Sequence, residues 1–123
     1  MREKPLILVV DDEPDLLRLV ETRLKANHYE TLSASDGKMG LEIAIREHPD
    51  LIILDIMMPG MDGIEALRTL KRTSGTSSIP VIMLSQKRET HSIIEAQNLG
   101  ASDYIFKPFL TEDLIKSVEK HIF

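Results

Sequence analysis

Cysteine is absent from this 123-residue chain. That removes a disulfide framework and any thiolate metal site from consideration, and it fits a cytoplasmic protein. Nothing at the start of this sequence resembles a signal peptide: residues 1–4 are polar, and the apolar run Leu6–Val10 is too short for its core. No stretch approaches the ~20 apolar residues of a membrane span. There is no basic excess either. With a net charge of −5, direct nucleic-acid binding by this domain is not expected, because affinity for a phosphate backbone needs a basic footprint. A DNA-binding domain elsewhere in a longer protein stays open. Internal repeats and low-complexity segments are also lacking. What is present is ordinary globular material, 42% apolar and 28% charged, which argues against disorder. The length suits one domain, 1–123, built as one sheet with helices on it.

Two kinds of segment alternate along the chain. Leu6–Val10, Leu51–Leu54 and, after Pro80, Val81–Leu84 are continuous apolar runs, the pattern of strands buried on both faces of a parallel sheet. Tyr29–Ala34 is a mixed run, and Asp103–Phe106 is short, as an edge strand would be. Between them lie helical spacings: Leu16, Val20 and Leu24; Leu41, Ala44 and Ile45; Ile64, Leu67 and Leu70; Ile93, Ala96 and Leu99; Leu114, Ile115 and Val118. Pro14 suits a first helical turn. Asp62 with Glu65 resembles a capping box, and Thr111 before Glu112 and Asp113 reads as an N-cap. Gly75 and Gly100 read as the stops of the third and fourth helices. Thr73–Ser78 looks like a flexible loop. Five β-α units with right-handed crossovers predict an α/β doubly wound parallel sheet of order 2-1-3-4-5, covered on both faces.

In such sheets sites form beyond the carboxyl ends of the strands, at the switch in strand order. Here the switch falls between the first strand, which runs into Asp11-Asp12, and the third, which runs into Asp55. Three converging carboxylates repel and raise one another's pKa. A hard divalent cation with oxygen ligands relieves that conflict, and Mg²⁺ suits the donor set. Ser85 ends the fourth strand and Lys107-Pro108 follows the fifth. Singly, an acidic pair is often a solvated turn, Ser85 a cap and Lys107 a surface lysine. Jointly, three acids, a hydroxyl and an ammonium at strand ends make a set suited to phosphoryl transfer.

These residues stand in recognisable segments. Val9-Val10-Asp11-Asp12-Glu13-Pro14, the run from Asp50 through Asp55 and Pro59-Gly60 to Gly63, Pro80–Ser85, and Gly100 through Lys107-Pro108-Phe109 together resemble the signature segments of the receiver family of two-component systems. The resemblance spans essentially the whole chain. It implies the flavodoxin-like (βα)5 fold, with Asp55 as phosphoacceptor and Asp12 as a direct Mg²⁺ ligand. Asp11 would act largely through water, and the Met57 backbone carbonyl would complete the protein ligands. It further implies Lys107 on the phosphoryl oxygens, Ser85 as switch hydroxyl, Tyr104 as switch aromatic, and a cis bond before Pro108. Met57, Gln86 and Lys87 would tune access to the site. Ser85 stands where Thr is more frequent, and Gln86 where the family usually has a small residue. Restricted access predicts slow autodephosphorylation.

The implied partners are a sensor histidine kinase or phosphotransfer protein as donor, and an output partner or fused effector domain. The output side would dock on the face formed by the fourth helix, fifth strand and fifth helix. Whether phosphorylation drives homodimerisation is open. Along the first helix Leu16 and Val20 read as core, and Leu17 as an edge that docks a donor. Two other classes were weighed. A Mg²⁺-dependent aspartyl phosphohydrolase usually carries a second Asp two residues after the first, where this chain has Met57, and no cap insertion is present. A flavodoxin-like electron carrier needs a Ser/Thr/Gly-rich phosphate loop, but Asp11-Asp12-Glu13-Pro14 would repel phosphate, and aromatics to hold a flavin are scarce.

Overall fold

The computed structural model describes residues 3–58, 60–86 and 90–122. Strand and helix alternate from β1 (Leu6–Val10), α1 (Pro14–Ala26), β2 (Glu30–Ala34) and α2 (Gly37–Glu47) to β3 (Leu51–Asp55) and α3 (Gly63–Arg72). The chain continues with β4 (Val81–Ser85), α4 (Thr90–Asn98), β5 (Asp103–Phe106) and α5 (Thr111–Ile122). The sheet order is β2-β1-β3-β4-β5, all pairs parallel, with β2 and β5 as edges. The apolar runs are long in Val, Ile and Leu because β1, β3 and β4 are buried along their whole length. Strand side chains alternate in direction, so the sheet carries two cores. Leu8, Val10, Ile52, Leu54, Val81 and Met83 face α2, α3 and α4. Ile7, Val9, Leu51, Ile53, Ile82 and Leu84 face α1 and α5.

The helix signals differ in outcome. Asp62 is the N-cap of α3 and accepts the Glu65 N–H at 2.8 Å. Pro14 opens α1. Gly100, at φ +100°, follows α4 and lets the Ala101 N–H return to the Ala96 carbonyl. Thr111 is already inside α5, so the helix starts one residue earlier than an N-cap at that position would place it. Gly75 does not stop α3, which ends at Arg72 with Thr73 extended. The Leu70 carbonyl accepts the Thr73 N–H at 3.4 Å, and the fully buried Thr76 hydroxyl donates to it as well, at 2.7 Å. The segment Thr73–Ser78 is tied down rather than loose. Its backbone makes two internal bonds, and Lys71 Nζ donates to the carbonyls of Ser77 and Ile79 at 3.2 and 2.7 Å. On α1, Val20 and Leu24 are buried, while Leu16 and Leu17 both pack at the edge of the α1–α5 core. The leucine of α1 most open to solvent is Leu19.

Candidate functional site

The carboxyl edge of the sheet gathers groups far apart in sequence. Register does the work: Val10 pairs with Leu54 and Asp55 with Leu84, so β1, β3 and β4 end side by side. Asp55 and Ser85 are the last residues of their strands rather than the first of the loops. The Lys107 N–H donates to the Ser85 carbonyl at 2.9 Å, which keeps the start of the β5–α5 connection on β4. A cis peptide joins Lys107 to Pro108.

Asp11, Asp12 and Asp55 can each offer an oxygen within 4.8 Å of the other two. Their surroundings differ. Asp11 is buried, and both its oxygens are engaged: Oδ1 accepts the Glu13 N–H at 3.0 Å and Oδ2 accepts Lys107 Nζ at 2.9 Å. Asp12 is exposed. Asp55 is buried, accepts the Met57 N–H at 3.3 Å through Oδ1, and lies 3.5 Å from Lys107 through Oδ2. Burial, and then repulsion from Asp11, push the Asp55 carboxyl up to about 6 against the pull of Lys107 and the Met57 N–H. Burial lowers the Lys107 ammonium, but the hydrogen bond and charge of Asp11, with Asp55 and Glu13, outweigh it and hold the pKa above the usual lysine range. Among the described residues one buried cation therefore serves several anions and leaves a carboxylate excess. An oxygen-only donor set with uncompensated negative charge fits a hard divalent cation.

The remaining residues singled out in the sequence fall around this centre. Ser85 is fully buried at the end of β4. Tyr104 is half-buried on the edge strand β5, packed at the margin of the α2–α4 core, with its ring centroid 5.4 Å from that of Phe106. The Met57 side chain is 55% exposed beside the acids, and Gln86 is exposed. Lys87 lies outside the described residues. An open cavity of about 690 Å³ runs from Asp12 and Met57 towards Arg68 on α3 and Glu95 on α4, whose side chains face each other at 3.6 Å.

Two functional positions carried no role in the sequence reading. Glu13 places Oε1 3.1 Å from Lys107 Nζ. Gly63 lets the start of α3 lie against the end of β3, its N–H donating to the Ile56 carbonyl at 2.8 Å. A Cβ there would sit 2.1 Å from the Asp55 carbonyl oxygen. The Asp62-Gly63 pair before a helical run is a legible signal for the glycine. For Glu13 only the signature acidic stretch pointed anywhere.

A doubly wound parallel sheet with three acids and a lysine gathered at its carboxyl edge is the architecture of two-component receiver domains. Residues 7–119 match the response regulator receiver domain family, and the chain belongs to it. It is 42% identical over 123 residues to a probable transcriptional regulator, ycf27, of Porphyridium aerugineum, covering 98% of this chain and 50% of that protein. It is 38% identical over 123 residues to the DNA-binding response regulator MtrA of Mycolicibacterium smegmatis, covering 99% and 51%. The chain thus spans about half the length of the curated relatives it matches. Among solved structures, the chemotaxis protein CheY4 of Vibrio cholerae superposes with a TM-score of 0.91 at 30% identity, covering 96% of this chain and 98% of that one. Receiver domains are not conventional enzymes. Among the described residues no helix is long and apolar enough to cross a membrane.

Proposed function

We propose that this chain is a phosphorylation-activated signalling switch in the cytoplasm. It takes a phosphoryl group from a phosphohistidine on a sensor histidine kinase or phosphotransfer protein onto Asp55. The observation that carries this reading is a buried carboxylate at a strand end, flanked by two further acids and 3.5 Å from a buried ammonium. An Asp55 oxygen attacks phosphorus, the P–N bond to histidine breaks, and the imidazole leaves. The receiver catalyses this step and a slow hydrolysis itself, because the positioning groups are its own. Mg²⁺, held by Asp12, Asp55, the Met57 carbonyl and, through water, Asp11, would neutralise charge on the phosphoryl oxygens. Lys107 contacts those oxygens from the other side. Ser85 then bonds the phosphoryl group, and Tyr104 turns inward, changing the α4–β5–α5 face. That face serves an output partner or a fused effector domain, or a second copy of the chain.

The test is direct. Acetyl phosphate or phosphoramidate with Mg²⁺ should add the mass of one phosphoryl group, located on the peptide bearing Asp55. Uptake at another residue, or none, overturns the reading.

Two further outcomes follow from the geometry. Asp11 has both oxygens committed inside the protein, whereas Asp12 is exposed and faces the cavity mouth. Asp12→Ala should therefore weaken Mg²⁺ binding by more than about tenfold, and by more than Asp11→Ala does. Calorimetric titration showing the reverse order would count against the ligand assignment. The exposed Met57 side chain overhangs the site and cannot orient a water. Met57→Asn should shorten the phosphoryl half-life severalfold in a phosphate-release assay, and an unchanged or longer half-life would remove the shielding role.

A further inference from the structure

Lys107 is surrounded by three carboxylates: Asp11 at 2.9 Å, Glu13 at 3.1 Å and Asp55 at 3.5 Å. An ammonium has three N–H donors and no more. Two of the three already serve Asp11 and Glu13, so a phosphoryl group on Asp55 can claim more than one of them only by displacing a present partner. Asp11 has nowhere to go, since it is buried at the end of β1 and holds the Glu13 N–H with its other oxygen. Asp55 is the group that would carry the phosphate. Glu13 differs from both. Its side chain is 59% exposed and can swing into solvent, and it stands outside the set of acids able to share a cation.

A second observation concerns α1. Glu13 occupies its N-cap position, yet the side chain makes no capping hydrogen bond. A carboxylate at a helix start is favoured by the backbone N–H groups and the helix dipole. Here it is drawn to Lys107, 94 residues away in sequence.

We propose that Glu13 is a positioning residue that competes with the phosphoryl group for Lys107. In the unphosphorylated state it tethers the ammonium at the pocket rim. On phosphorylation it lets go, and Lys107 passes to the phosphoryl oxygens. The tether favours the resting state, so it slows phosphorylation and shortens the life of the phosphorylated form. A half-exposed ion pair sets a ceiling of about fivefold on the effect. The inference rests on the phosphorylation reading above.

The experiment compares the wild type with Glu13→Gln and Asp15→Asn. Asp15 is fully exposed in the first turn of the same helix and faces Arg18, not Lys107. With phosphoramidate and Mg²⁺, Glu13→Gln should take up phosphate about fivefold faster than wild type, and Asp15→Asn should differ by less than about twofold. In metal-free, unphosphorylated protein, the ¹⁵N-detected signal of the Lys107 ammonium should exchange with water faster in Glu13→Gln and unchanged in Asp15→Asn. A rate in Glu13→Gln that is unchanged or lower overturns the proposal. So does an equal gain in Asp15→Asn, which would mean plain repulsion of an anionic donor. If no protein takes up phosphate, wild type included, the phosphorylation reading fails. The ammonium signal then decides the tether alone, and an unchanged signal in Glu13→Gln overturns it.

Discussion

Asp55→Asn should melt higher than the wild type in the absence of metal while losing all phosphoryl uptake at that position. The folded protein holds the Asp55 carboxyl at about 6 against an ordinary 3.8, because burial and the neighbouring Asp11 outweigh Lys107. A raised carboxylate means that the folded state binds the proton more tightly than the unfolded state does. Stability attributable to this group therefore rises as pH falls from about 6 towards 3.8, and the penalty is fully present above 6. At neutral pH the penalty is about 2–3 kcal/mol, which Asn escapes by carrying no charge. The expected gain in melting temperature is roughly 5–10 °C. The difference between the two proteins should shrink as pH is lowered through that window. Added Mg²⁺ should raise the wild-type melting temperature more than the variant's, because the variant has lost a charged oxygen donor. A metal-free variant that melts at or below the wild type at pH 7.5 would show that the Lys107 contact outweighs the crowding.

Gly63→Ala should be among the most damaging single-methyl additions in the chain. The new Cβ would lie 2.1 Å from the Asp55 carbonyl oxygen and 2.6 Å from the Ile56 Cα. These are backbone atoms in or just after a buried strand, and no side chain can rotate out of the way. Relief requires the N-terminus of α3 to lift from β3, which also stretches the bond from the Gly63 N–H to the Ile56 carbonyl. The expected loss is about 3–4 kcal/mol. Because Asp55 is the residue pushed, any folded fraction should also be phosphorylated more than about tenfold more slowly, as displacements near 1 Å at a reacting group cost rate steeply. Gly60→Ala is the comparison. Gly60 has φ +77° but open space around its Cβ position, so its loss should stay at about 1–2 kcal/mol. If denaturant titration ranks Gly60→Ala as the worse of the two, close approach is not what Gly63 provides.

The two substitutions mark how far the sequence could be read. Alternation of apolar runs with 3.6-residue spacings exposed the whole β-α order. The switch in strand order between the first and third strands then places Asp11, Asp12, Asp55, Ser85 and Lys107 on one edge. Periodicity reports which face a residue takes, not how near two backbones come, so Gly63 passed as a motif letter with no role. Glu13 reads locally as a helix-start acid, and its engagement by Lys107 exists only once β5 has docked on β4. Thr73–Ser78 looked loose because small polar residues resemble a linker, yet Thr76 and Lys71 satisfy its neighbours' carbonyls. On α1, three leucines and a valine within one turn and a half overfill a stripe, and only packing decides that Leu19, not Leu17, is left most open.

The separation of 96 residues between Asp11 and the lysine that neutralises it has a consequence for how the protein is made. A ribosome delivers the chain from its N-terminus, so the acids of β1 and β3 emerge long before β5 does. Until then Asp11 lacks the ammonium that it binds in the folded domain. The last strand to be synthesised completes the sheet, and the residue just after it supplies the cation. A nascent or truncated chain therefore lacks the ion pairs of the pocket, which form only after Lys107 has emerged.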